Sequence, residues 1–411
     1  MLSLRLARGA HPLVLLRRLL VAIAAAGVAF LLLCALGHAV ADPKATGESL
    51  VRLMWCVLPL AAVVHFAVAV ARTDPATRPR DGLDAIGLGP VRLSLLAAAS
   101  TAVSCSLGSA AALLVYLELR GSLGGTPLSG AAAGLLDGGA PLPWAATLTL
   151  LGLLPALAAG ACAVALRPRR EQRRSAARHA TAPAPTLPVP PEQSVAAPEA
   201  ARPVYAGLPW GVTIIACGLA LEAYVGHAPV PKPDALLALP GQSGGASPGL
   251  LGGWLLASMG LVLAGPGLTH WCGALLAAGR PGPVRMLAGR ILQDAAQRTG
   301  RPLGVLCAVA AGTLAAVELY GAAWDGTEPS PFGPLTGLGA AVVMACVTAT
   351  AVTAALDTRQ ARSETNAAIL RLGIPASMLR GAAAVRTCVL LAVLAPLTWL
   401  IAELTALPLT R

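Results

Sequence analysis

Residues 19 to 40 read LLVAIAAAGVAFLLLCALGHAV and contain no Asp, Glu, Lys or Arg. A helix of about 20 apolar residues crosses the roughly 30 Å of hydrocarbon in a bilayer. With no water there, each backbone N–H and C=O must be satisfied within the segment, as a helix does. The run lacks the period-2 alternation of a barrel strand and is about twice as long as one. Similar runs recur at about 50–71, 92–117, 143–166, 209–226, 250–276, 303–323, 335–356 and 382–404. The expectation is an all-α, polytopic integral membrane protein with about nine transmembrane helices. Gly265, Pro266 and Gly267 interrupt the run at 250–276 and predict a kinked helix or two short pieces there. Composition agrees: of 411 residues, 56% are hydrophobic and 12% charged, with a mean hydropathy of +0.71.

The net charge of +11 is distributed as membrane topology requires, which argues against nucleic acid as a partner. Arginines gather in alternate connections: Arg5 to Arg18, Arg72 to Arg80, Arg167 to Arg178, Arg280 to Arg301 and Arg359 to Arg380. The intervening loops carry Asp42, Glu48, Asp137, Asp234, Asp325 and Glu328, together with both lysines, Lys44 and Lys232. With an odd number of spans, the positive-inside rule puts the N-terminus in the cytoplasm of a cell (inner or plasma) membrane protein and Arg411 outside. Ala39-Val40-Ala41 has the form of a signal-cleavage site, but the apolar run before it is too long for a signal peptide, so retention is expected.

Enzyme chemistry finds little support. There is no G-x-x-x-x-G-K-[ST] phosphate loop. Gly241-Gln242-Ser243-Gly244-Gly245 fits G-x-S-x-G, yet it lies in a Pro/Gly-rich loop rather than between a strand and a helix. The nine cysteines fall almost one to a span, without a C-x-x-C pair, and read as small packing residues. No cofactor or metal is expected, and His270 beside Trp271 and Cys272 reads as interfacial packing.

Between Arg167 and Gly207 the text is first basic and then rich in Pro and Ala, with too little apolar bulk for a core, so a disordered cytoplasmic linker is expected. It divides the chain into residues 1–166, a four-helix unit; 167–207, the linker; 208–276, two intervening spans; and 277–411, a second unit. That last unit holds three spans preceded by an amphipathic stretch, VRMLAGRILQDAAQRTGRP, expected to lie on the cytoplasmic surface. Displaced by 284 residues, AIGLGPVRLSLLAAA (85–99) falls on ILRLGIPASMLRGAA (369–383), with Leu88 on Leu372, Gly89 on Gly373 and Leu95 on Leu379. The two units are therefore expected to be parallel repeats about an axis along the membrane normal.

The second copy of that turn carries the clearest functional signal. DTRQARSETNAAILRL (357–372) predicts a helix, polar and then apolar; Gly373 suits a left-handed cap and Pro375 a helix start. This elbow, with Leu370, Arg371, Leu372 and Gly373 followed by Ala376 to Arg380, resembles the FtsX-like permease family of ABC transporters. The resemblance covers about residues 339–400, with an echo at 53–115. It implies a permease whose inner loop meets a separate ATP-binding cassette ATPase subunit and passes its movements through the bilayer, with ATP hydrolysed by the partner. By that resemblance Arg359, Arg362, Glu364, Leu370, Arg371, Leu372 and Gly373 form the coupling contact. The loops at 41–49 and 324–333 are short where family members carry a large folded domain, so no outward-reaching mechanical function is implied.

Four acids recur toward the outer ends of outward-running spans: Glu118, Glu222, Glu318 and Glu403. Charge at membrane depth is costly and is often functional, which makes them a possible ion path; at the headgroup level, beside tyrosines, a Glu is ordinary. Two alternatives to the permease follow: a cation-coupled secondary transporter using these glutamates, and a non-transporting scaffold or regulator.

Overall fold

The computed structural model describes residues 12–41, 43, 46–73, 90–122, 130, 132, 142–166, 207–227, 248–278, 282–324, 334–361, 367, 370–371 and 375–407. They form ten helices: α1 (Pro12–Ala41), α2 (Thr46–Trp55), α3 (Val57–Thr73), α4 (Pro90–Arg120), α5 (Trp144–Ala165), α6 (Gly207–His227), α7 (Pro248–Ala277), α8 (Pro283–Trp324), α9 (Pro334–Ala361) and α10 (Ala376–Ala406). No strand occurs among the described residues. Among the described residues, nine helical stretches are long and apolar enough to cross a membrane, with the end of α2 and α3 together making one, and all nine overlap the spans expected from sequence. The chain is an all-α, multi-pass membrane protein. Of the linker expected at 167–207, residues 167–206 lie outside the described residues and Gly207 is the first residue of α6.

Proline is the first residue of α1, α4, α7, α8 and α9, where its missing N–H costs no hydrogen bond. At the other end of α4, Gly121 takes φ 89°, and the Gly121 and Ser122 amides close onto the Glu118 and Leu117 carbonyls at 3.0 and 2.9 Å. This is a Schellman cap, which uses glycine because a Cβ would strain the left-handed residue.

The spans pack as two bundles. In the first, α1 is central: Val21, Ala25, Val28 and Leu32 meet Val63, Phe66, Ala67 and Val70 of α3, Cys105 of α4, and Leu154 and Ala158 of α5. Cys346 of α9 belongs to the same core, and α9 packs on α1, α3 and α8. The eighth span, grouped by sequence with the second unit, is therefore the seam between bundles. Arg17 at the start of α1 ties down the end of α3: its guanidinium donates to the Thr73 hydroxyl (3.1 Å) and carbonyl (3.5 Å), although it is only 8% exposed.

The second bundle is built on glycine. Gly211 and Gly218 of α6 stand seven residues apart, as do Gly253, Gly260 and Gly267 of α7. A Cβ on Gly218 would lie 2.6 Å from the Ala257 amide nitrogen and 2.7 Å from the Gly253 carbonyl, so the two backbones touch. Across the other face of α7, Gly265, Gly273, Gly289, Gly300 and Gly304 seat α8 in the same way. Lipid is as apolar as leucine, so helices in a bilayer associate through such close approach rather than by hiding from solvent. Large side chains such as Leu107 (64% exposed) and Trp210 (70%) accordingly face outward.

Two expectations are corrected. α7 is one continuous helix through Gly265-Pro266-Gly267, so the two short pieces are not formed. Thr269, fully buried, gives its hydroxyl to the Pro266 carbonyl at 2.8 Å, with the Ala296 carbonyl of α8 at 3.3 Å. Thr269→Val keeps the shape and removes these bonds; it is expected to lower stability by about 1 kcal/mol, readable in thermal unfolding of the purified protein.

The amphipathic stretch before the seventh span is not a separate surface helix. It is the start of α8, which runs unbroken for 42 residues, about 63 Å, past Pro302. Ala288, Leu292, Ala295 and Ala296 are buried, and the first two pack with Cys272 and Leu276 of α7 and Ala382 of α10. Leu287 and Leu292 of its apolar stripe pack against protein, while Met286 is half exposed.

Candidate functional site

The arginine-flanked elbow joins α9 to α10. Asp357 to Ala361, expected as the start of a new helix, is the last turn of α9, with Arg359 exposed. Pro375 is extended (φ −67°, ψ 141°) and precedes Ala376, the first residue of α10. Between them Ala367, Leu370 and Arg371 are exposed, Leu370 at 44%. Arg362, Glu364, Leu372 and Gly373 lie outside the described residues.

The far arm of the elbow is seated firmly. Gly381 faces Val284 of α8 at an ordinary contact distance (3.5 Å from a Cβ placed on it), and Ala382 joins the cluster of Ala288, Leu292, Cys272 and Leu276. Further along, Leu394, Ile401 and Ala402 of α10 pack with Leu261 of α7 and Cys307, Ala308 and Ala311 of α8. A displacement of Pro375 and Ala376 therefore acts on a 31-residue helix that packs on α8 in its first turns and again from Leu394 to Ala402. Close-packed interiors pass such a shift on rather than absorb it.

At the opposite, acidic end, the structure brings some of the four glutamates together. The carboxyls of Glu318 (α8) and Glu403 (α10) lie close to one another. Glu222 (α6) is 1% exposed and lies beside the Thr405 hydroxyl of α10. Glu118 is half-buried on α4, which packs on α1, α5 and α3 in the other bundle, so the four do not form one line.

Sequence reading missed the Arg17–Thr73 tie, because Arg17 counts equally toward the positive-inside pattern wherever its side chain points. It also missed Thr405 beside Glu222, for which no local signal exists. The seven-residue glycine spacing was visible and would have paired α6 with α7. Among the described residues, no three His, Cys, Asp or Glu side chains come close enough together to hold a metal ion. No protein-family profile, curated protein or solved structure matches the chain.

Proposed function

We propose that this chain is the membrane-spanning permease subunit of an ATP-binding cassette transporter, FtsX-like in its elbow, working with a separate ATPase. The arginine-rich ends of its helices face the cytoplasm of a cell membrane, by the positive-inside rule. The observation that carries the reading is the exposure of Leu370 and Arg371 in the elbow ahead of α10, with α10 itself packed along α8. An exposed apolar and basic pair shortly before a seated helix is what a motor subunit needs to grip. The chain transmits force and leaves ATP hydrolysis to its partner.

Purified with its native partners, the full chain should bring down an ATPase bearing a phosphate-loop sequence. Leu370→Asp, at an exposed position that leaves insertion intact, should reduce that recovery at least about tenfold, equivalent to about 1.4 kcal/mol. Undiminished recovery and ATPase activity with the aspartate variant would sink the proposal. One observation favours a second reading, cation-coupled transport: the meeting of Glu318 and Glu403. Flux that follows a proton gradient with no ATPase present would put that reading first.

A further inference from the structure

Glu222 plays no part in the elbow, and its surroundings are unusual for a carboxyl. Gly253 of α7 leaves the space that its side chain fills: a Cβ at that glycine would stand 2.5 Å from Glu222 Cγ and 2.9 Å from the Gly218 carbonyl. A hydrated ion has no room between these helices. Neither carboxyl oxygen is hydrogen-bonded. The neighbouring Thr405 hydroxyl gives its hydrogen to the Ile401 carbonyl at 2.7 Å rather than to the carboxyl. A carboxylate opposite a lone pair meets another acceptor; a carboxylic acid there has a donor, and the contact becomes a hydrogen bond.

Among the described residues, the charges around it offer no substitute. α6 contains neither lysine nor arginine, and its Tyr224 and His227 are exposed, with His227 Nδ1 2.6 Å from the Ala223 carbonyl. The turns of α7 at 249–257 hold no titratable side chain. On α10, Glu403 lies close to Glu318 of α8, and Arg380, Arg386 and Cys388 stand about 25 Å or more along the helix from Thr405. An unpaired anion in such a setting carries the full cost of its lost hydration.

We propose that Glu222 is a proton-binding site: its carboxylate takes one hydrogen ion from solvent, forms the O–H bond and donates it to the Thr405 oxygen. The ligand is the proton rather than a metal cation, since one carboxyl and one hydroxyl without free volume cannot replace an ion's hydration shell. The site stands whether or not the chain couples to an ATPase.

Dicyclohexylcarbodiimide adds to protonated carboxyls in apolar surroundings, so it reads the bound proton directly. In the full-length protein in liposomes, mass spectrometry should find the adduct on the peptide that holds residue 222, distinct from those of Glu318 and Glu403. Once the pH is high enough to remove the proton, the rate of labelling should fall by about tenfold per pH unit. Sodium and potassium chloride should give equal rates, and Glu222→Gln, which keeps a donor toward Thr405, should fold and lose that adduct. An infrared carboxylic C=O band of the wild-type protein, shifting in D2O, tests the same point if the glutamine variant misfolds. Absence of both adduct and band in folded wild-type protein overturns the proposal, and so does protection of Glu222 by sodium but not potassium.

Discussion

Gly218→Val is expected to dismantle the second bundle while Gly160→Val leaves the protein unchanged. Both are glycines in the middle of transmembrane helices, and their flanking sequence is equally apolar. At Gly218 the added Cβ would enter backbone atoms of Ala257 and Gly253, at 2.6 and 2.7 Å, and no rotamer change relieves a clash with main chain. α6 must lift off α7, and Glu222 leaves the niche at Gly253. Overpacking of this kind costs about 3 kcal/mol or more, a fall of roughly 5 °C or more in the unfolding midpoint. At Gly160, on the exposed side of α5, a Cβ meets nothing within 4 Å, so valine should change stability by less than about 0.5 kcal/mol. Fluorescence-monitored melts of the two variants in one detergent decide it. Equal losses would mean that glycine matters here only as a helix residue and that the α6–α7 approach is not as close as described.

Arg17→Ala should have the next largest effect. The guanidinium is nearly buried and serves the last residue of α3, where carbonyls have no partner within the helix and the helix dipole is negative. Its loss frees the Thr73 carbonyl and hydroxyl and unties the start of the first span from the end of the second. A hydrogen bond to a charged group contributes about 1.5–3 kcal/mol, so a loss of about 2 kcal/mol is expected. Thr73→Val, which removes the hydroxyl and leaves the carbonyl, should cost about half as much. Because the two side chains share one contact, the double variant should be less damaged than the sum of the singles. Strict additivity would show that the arginine is held elsewhere.

The contrast between residues that could and could not be read from the text has a physical basis. Residues 19 to 40 announce a span because an α-helix in hydrocarbon satisfies its own backbone, and a local rule of that kind needs no neighbour. The stretch at 284–302 misled for the opposite reason. Its bulky residues, Met286 and Leu287 among them, suggested an apolar face at the membrane surface, whereas Leu287 and Leu292 pack on protein beside Ala288, Ala295, Ala296 and Gly289, whose smallness carries no hydropathy signal. The start of α10 was legible as punctuation, through Pro375, but what seats it, Val284 and Ala288 beneath Gly381 and Ala382, was not.

By itself, then, the order of apolar and arginine-rich segments determined that this chain crosses a membrane about nine times and where each crossing falls. Only the tertiary structure decided that α9 closes the first bundle's core, that α8 runs unbroken for 42 residues against α7 and α10, and that Glu222 lies beside Thr405. Crossing is a property of one segment and its solvent. Pairing among helices that are all equally apolar turns on shape, on which glycines meet and which hydroxyls remain to be satisfied, and that is settled only when the segments are side by side.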